Sequence, residues 1–177
     1  MGRGQSALIV PVELPAELDR LRDGLDPSAA AGVPAHVTLV YPFIPPDGLG
    51  EGDLTPVAEI ARAVAAFSFT LGRVQRWPDV VCLLPDPSEP FSRLIVALAT
   101  AFPAYPPYGA AHAVADVVPH VTIAQSARSQ DLDAAAAGVP DFLPVYAKCD
   151  EIRLIANHPG QLWRTVWSCR LPTKAGG

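Results

Sequence analysis

The stretch PAHVTLVYPF, Pro34 to Phe43, sets a histidine and a threonine two residues apart in a run that otherwise reads as an apolar β-strand. A second stretch, VPHVTIAQS from Val118 to Ser126, repeats the arrangement, so His36-Val37-Thr38-Leu39 and His120-Val121-Thr122-Ile123 stand 84 residues apart. Side chains alternate across a strand, which puts His36 and Thr38 on one face and likewise His120 and Thr122. Within each pair the Cα atoms are about 6.6 Å apart. A lone histidine in an apolar strand is commonly a core residue bonded to a backbone carbonyl, and threonine is an ordinary strand former. Two identical motifs at corresponding points of a repeat point instead to a shared site.

Around these motifs the chain is punctuated by proline and glycine. Ala7 to Val12 reads as a first strand, and Leu14, Leu18, Leu21 and Leu25 recur at helical spacing until Asp26-Pro27. After His36 to Tyr41 comes a turn-rich segment, then a helix with Thr55 as N-cap and Pro56 at its first position. Phe67 to Trp77 and Val80 to Pro85 form a hairpin about Pro78-Asp79. A helix from Ser88 to Phe102, the loop FPAYPPYGAA, the second motif strand and a helix from Ser129 to Ala137 follow. Two strands, Val145 to Asn157 and Leu162 to Leu171, end the pattern. Each half thus runs motif strand, helix, strand, turn, strand. This predicts an α+β fold of one bilobal domain over residues 1–177, with two mainly antiparallel sheets facing a central cleft and helices outside.

Composition bounds the function. Half of the residues are hydrophobic and 18% are charged, enough for a packed core. The apolar run Ala7 to Val12 is too short to span a membrane and follows no secretory pattern, so the expectation is a soluble cytoplasmic protein. Net charge is −5, with 6 Lys/Arg against 11 Asp/Glu in residues 1–86 and 7 against 7 in residues 87–177. Duplex nucleic acid is held chiefly through phosphate neutralisation, so this balance disfavours it and leaves a small phosphorylated nucleotide or an RNA end as partner. Cys82, Cys149 and Cys169 lack a C-x-x-C pair and read as small buried thiols. The histidines at 36, 112, 120 and 158 lack the spacing of a local zinc motif, so no metal or cofactor is implied. The expected assembly is a monomer.

Two imidazoles facing one ligand permit paired proton transfer near neutral pH, one ring neutral and the other protonated. The first takes a proton from an attacking water or hydroxyl and the second gives one to the leaving oxygen, each role being typically worth ~10²–10⁴ in rate. Thr38 and Thr122 can hold the non-bridging oxygens of a phosphate.

With these residues in place the sequence resembles the 2H phosphoesterase superfamily, and within it the 2′-5′ RNA ligase-like (LigT-like) branch. The resemblance runs over nearly the whole chain, from the opening strand and helix through HVTL and YPF to HVTI. It implies hydrolysis of 2′,3′-cyclic phosphodiesters, or ligation and cleavage of 2′-5′ RNA linkages. By position His36 and His120 would be the acid–base pair, with Thr38 and Thr122 on the phosphate. Such relatives often carry an arginine five residues after the second histidine; here that place holds Gln125, which donates hydrogen bonds without charge. The matching place in the first half is Tyr41, where the family has an aromatic stacking residue, yet simple alternation aims Tyr41 away from the histidine face. Arg128 reads as a solvated arginine, and Trp77, Trp163 and Trp167 as strand packing. The alternative is a non-catalytic nucleotide-binding module that retains the cleft, for which Gln125 is mild support.

Overall fold

The structure, a computed structural model, describes residues 3–126 and 128–173 of the chain. Strand β1 (Gln5–Pro11) leads through helix α1 (Ala16–Leu25) and the short α2 (Pro27–Ala30) to β2 (His36–Val40). Helix α3 (Thr55–Arg62), the hairpin β3 (Phe67–Arg76) and β4 (Val80–Asp86), and helix α4 (Glu89–Ala101) follow. The second half holds β5 (Val121–Gln125), α5 (Ser129–Gly138), β6 (Val145–Cys149), β7 (Glu151–Asn157) and β8 (Arg164–Arg170).

All strands belong to one curled antiparallel sheet in the order β6-β3-β4-β5-β2-β1-β7-β8. The two expected sheets are the two four-stranded halves of this sheet, and they meet where Val37 of β2 pairs with Val121 of β5. The hairpin β3–β4 follows β2 in the chain but lies beside β5, whereas β7–β8 follow β5 but lie beyond β1. The strands succeeding each histidine motif therefore flank the other motif, and this exchange makes β2 and β5 central neighbours.

The run Val145 to Asn157 is not one strand. It breaks at Asp150, where the chain leaves β6, paired with β3 at one edge, and enters β7, paired with β1 in the other half. An apolar run reads alike on both sides of that residue, so only the change of partner reveals the break. A one-residue passage between the halves requires the curl.

One face of the sheet carries the core. Val37, Leu71, Leu83, Val121 and Leu154 are fully buried against Val57 and Ala61 of α3 and Phe91, Leu94 and Leu98 of α4. Phe91 meets the rings of Phe67 and Phe69 edge-on at 5.1 and 4.9 Å. Leu132 and Ala135 of α5 cover Val81 and Ala124. Among the described residues no helix is long and apolar enough to cross a membrane.

Candidate active site

Since Val37 and Val121 face the core, their neighbours His36, Thr38, His120 and Thr122 turn to the opposite face, where all four are half-buried. The antiparallel register sets His36 across from Thr122 and Thr38 across from His120. The two histidines thus lie on a diagonal, with Cα atoms about 7–8 Å apart by ladder geometry. Two imidazoles and two hydroxyls share one face around the Val37–Val121 pair. The sequence motifs are brought together as expected.

His36 Nδ1 lies 2.7 Å from the Pro34 carbonyl and His120 Nδ1 2.8 Å from the Val118 carbonyl. A carbonyl only accepts, so on each neutral ring Nδ1 carries the proton and Nε2 is the free base. The same device, a carbonyl two residues ahead, fixes both tautomers. The Thr38 hydroxyl is 3.0 Å from His36 Nε2 and donates to it. Burial lowers the His36 pKa to about 4; the Arg22 guanidinium and His120 act in the same direction, opposed by the Pro34 carbonyl and Asp26. Burial also lowers that of His120, against the bond to Val118.

Trp77 is not merely strand packing. Its ring meets the His120 imidazole at 4.8 Å, nearly perpendicular at 85°, and holds that ring in place. Trp163 packs on Tyr41 at 6.3 Å, and Trp167 packs against the main core. The buried Cys82 sits on the histidine face across from Thr122, and burial raises its thiol pKa to about 12. Tyr108, from the Pro/Gly loop, takes φ 53° and donates its backbone N–H to the Tyr41 carbonyl at 2.6 Å. Its hydroxyl lies beside Thr38, and burial raises its pKa. His112 and His158 are exposed, and Arg128 is an exposed arginine paired with Asp131 at 2.8 Å.

The alternation argument for Tyr41 fails for a specific reason. Leu8 pairs with Val40 while Ile9 pairs with Thr38, so Leu39 is an extra residue in β2. Such a bulge turns Leu39 and Val40 both to the core and reverses the parity beyond them. Tyr41 therefore returns to the histidine face, where it packs over Ala7, Ile9 and Ile155 and accepts a bond from Gln5 Nε2 at 3.1 Å. In β5 the register shifts likewise between Cys82↔Thr122 and Val81↔Ala124, with Ile123 as the extra residue. Gln125, exposed at the end of β5, is returned to the histidine face in the same way. Sequence alternation has no signal for either bulge, because each exists only against its partner strand.

Arg22 escapes a reading by composition. Its side chain is 3% exposed and pairs with Asp26, 1% exposed, at 2.8 Å. The guanidinium also donates to the Thr122 carbonyl at 3.3 Å, the Val33 carbonyl at 3.1 Å and Ser28 Oγ at 3.2 Å. Where β2 and β5 diverge beyond Val37 and Val121, this fork joins the second motif to the segment leading into the first. Arg22 falls four residues after Leu18 on the buried stripe of α1, a signal the sequence did carry.

Comparisons with known proteins agree with this fold. No curated protein sequence matches the chain. Among solved structures, apo E. coli LigT is 16% identical with a TM-score of 0.55, covering 97% of this chain and 100% of that one. The E. coli LigT complex with 3′-AMP is 16% identical at TM-score 0.54, with 96% and 99% covered. TT0787 of Thermus thermophilus is 17% identical at TM-score 0.53, with 98% and 100% covered. At these identities the likeness shows the fold. The model of the 2′-5′ RNA ligase superfamily matches residues 10–161, a span containing both histidine motifs, and the chain belongs to that superfamily.

Proposed function

We propose that this protein is a metal-independent phosphoesterase that opens 2′,3′-cyclic phosphates, or acts on 2′-5′ phosphodiester linkages, of nucleotides or RNA ends. One observation carries the reading: both histidines and both threonines stand on one face around the Val37–Val121 pair. E. coli LigT, a structural neighbour, has been solved with 3′-AMP, a small phosphorylated nucleotide of the class proposed here.

The chemistry follows from the tautomers. One neutral imidazole, its Nε2 free, removes a proton from water as the water oxygen bonds to phosphorus. The other, protonated, delivers its proton to the ribose oxygen as the phosphorus–oxygen bond to that oxygen breaks. The Thr122 hydroxyl, and the Thr38 hydroxyl once it turns from His36 Nε2, donate to the non-bridging oxygens, where negative charge gathers. Tyr41 and Gln125 flank the same face as substrate-binding residues, and Trp77 keeps the His120 ring in register.

Replacing His36 or His120 with alanine is expected to lower turnover of a panel of 2′,3′-cyclic nucleotides and 2′-5′ dinucleotides by ~10²–10⁴ while the circular dichroism spectrum stays that of the parent. Wild-type rates in either variant sink acid–base catalysis by the pair. Mononucleotide binding by calorimetry without product from any member of the panel favours a non-catalytic binding module.

A further inference from the structure

The histidine face continues into an open cavity of about 870 Å³ lined by both halves of the sheet. It begins beside the site: Pro11, which pairs with His36, and Pro34, whose carbonyl holds the His36 ring, both line it. From the other half come Thr70 and Asp86, paired with each other, and Tyr146, paired with Thr70. Alternation about the buried Phe69, Leu71 and Leu83 puts these three side chains on the histidine face.

The cavity's charge differs from that of a phosphate site. Arg153 is spoken for by Glu151 at 2.9 Å, and Lys148 by Asp150 at 3.7 Å. Glu13 and Asp86 remain, each exposed and making no ion pair among the described residues. Two uncompensated carboxylates thus face the cavity from opposite walls and repel an incoming phosphate. They accept hydrogen bonds well, and exocyclic amino groups of adenine, cytosine and guanine are suitable donors. Tyr146, 79% exposed, offers a free aromatic surface on which a base can stack.

We infer that this cavity is a nucleoside subsite, selecting an amino-bearing base whose only attached charge is the phosphodiester held at the histidines. This rests on the phosphoesterase reading above and narrows its substrates to molecules without a further phosphate at the nucleoside end.

The test compares 2′,3′-cyclic AMP, 2′,3′-cyclic UMP and 5′-phosphorylated 2′,3′-cyclic AMP as substrates. The parent should prefer the first, with kcat/KM for the 5′-phosphorylated form lower by about tenfold. In the double variant Glu13→Gln/Asp86→Asn that penalty should shrink, through KM and not kcat. Tyr146→Ala should raise KM for cyclic AMP. Equal use of all three substrates by the parent, or a penalty untouched by the double variant, overturns the subsite. A separate arm titrates adenosine, which has no phosphate, and follows the amide signals of Ser68, Thr70 and Tyr146 by NMR. Shifts there support the cavity even if no substrate is turned over, in which case the phosphoesterase reading alone falls. Silence at millimolar adenosine overturns the cavity even in an active enzyme.

Discussion

The imidazoles of His36 and His120 are both held below the ordinary histidine value of 6.5, chiefly by burial. The sign of the resulting pH dependence is fixed by what each ring must do. The base must be unprotonated, which fails at low pH; the acid must be protonated, which fails above its own pKa. With both values under 6.5, the doubly neutral state dominates at pH 8. Above both, the fraction of enzyme holding one imidazolium drops about tenfold per pH unit. The profile of kcat/KM for a 2′,3′-cyclic nucleotide is therefore expected to peak on the acid side of 6.5 and fall toward pH 8. A free-enzyme optimum above 7 contradicts a desolvated pair. At this scale the sequence was informative: a period-2 motif written twice shows which four side chains share a face. It was silent on Trp77, because no local pattern tells that a tryptophan ending a strand will rest on a histidine 43 positions onward.

Among the elements, α4 is where packing concentrates. Phe91 at its first turn is fully buried and wedged between Phe67 and Phe69 of β3. Phe91→Ala removes both edge-on ring contacts and leaves a cavity, so a stability loss of about 3–5 kcal/mol is expected. Urea denaturation with an unchanged m-value would record it, and a loss under 1 kcal/mol would mean the neighbouring rings collapse into the space. Strands and helices of this kind were legible, since Phe91, Leu94, Ile95 and Leu98 recur on one side of a helix by spacing alone. Register was not. Leu39 and Ile123 look like any other apolar strand residue, yet each is the extra one that turns Tyr41 or Gln125 back toward the histidines. The break at Asp150 escaped for a related reason, being a change of partner within an unbroken pattern.

For the whole molecule the two halves meet along a narrow seam, and Arg22 is its reinforcement. Arg22→Met removes the fork that joins the Thr122 and Val33 carbonyls and leaves the Asp26 carboxylate buried without its partner. Breaking such a pair costs about 3–5 kcal/mol. The double variant Arg22→Met/Asp26→Asn should recover part of that loss in a denaturation experiment, while kcat stays low because the two motifs are no longer held at one spacing. Full recovery of kcat in the double variant would limit Arg22 to a charge-balancing role.

At the far side from this seam, Asp150 carries the backbone directly from β6 to β7. The walls around the histidines are consequently fastened along two lines, one by pairing and one by covalent bonds. The result is a hoop and not a jaw. Two fastenings resist opening sideways around the middle of a long strand. For the phosphoesterase proposed above, a terminus is then expected to reach the imidazoles more readily than the middle of a polymer, so linear and circularised forms of one oligonucleotide should differ in turnover although their bonds are alike.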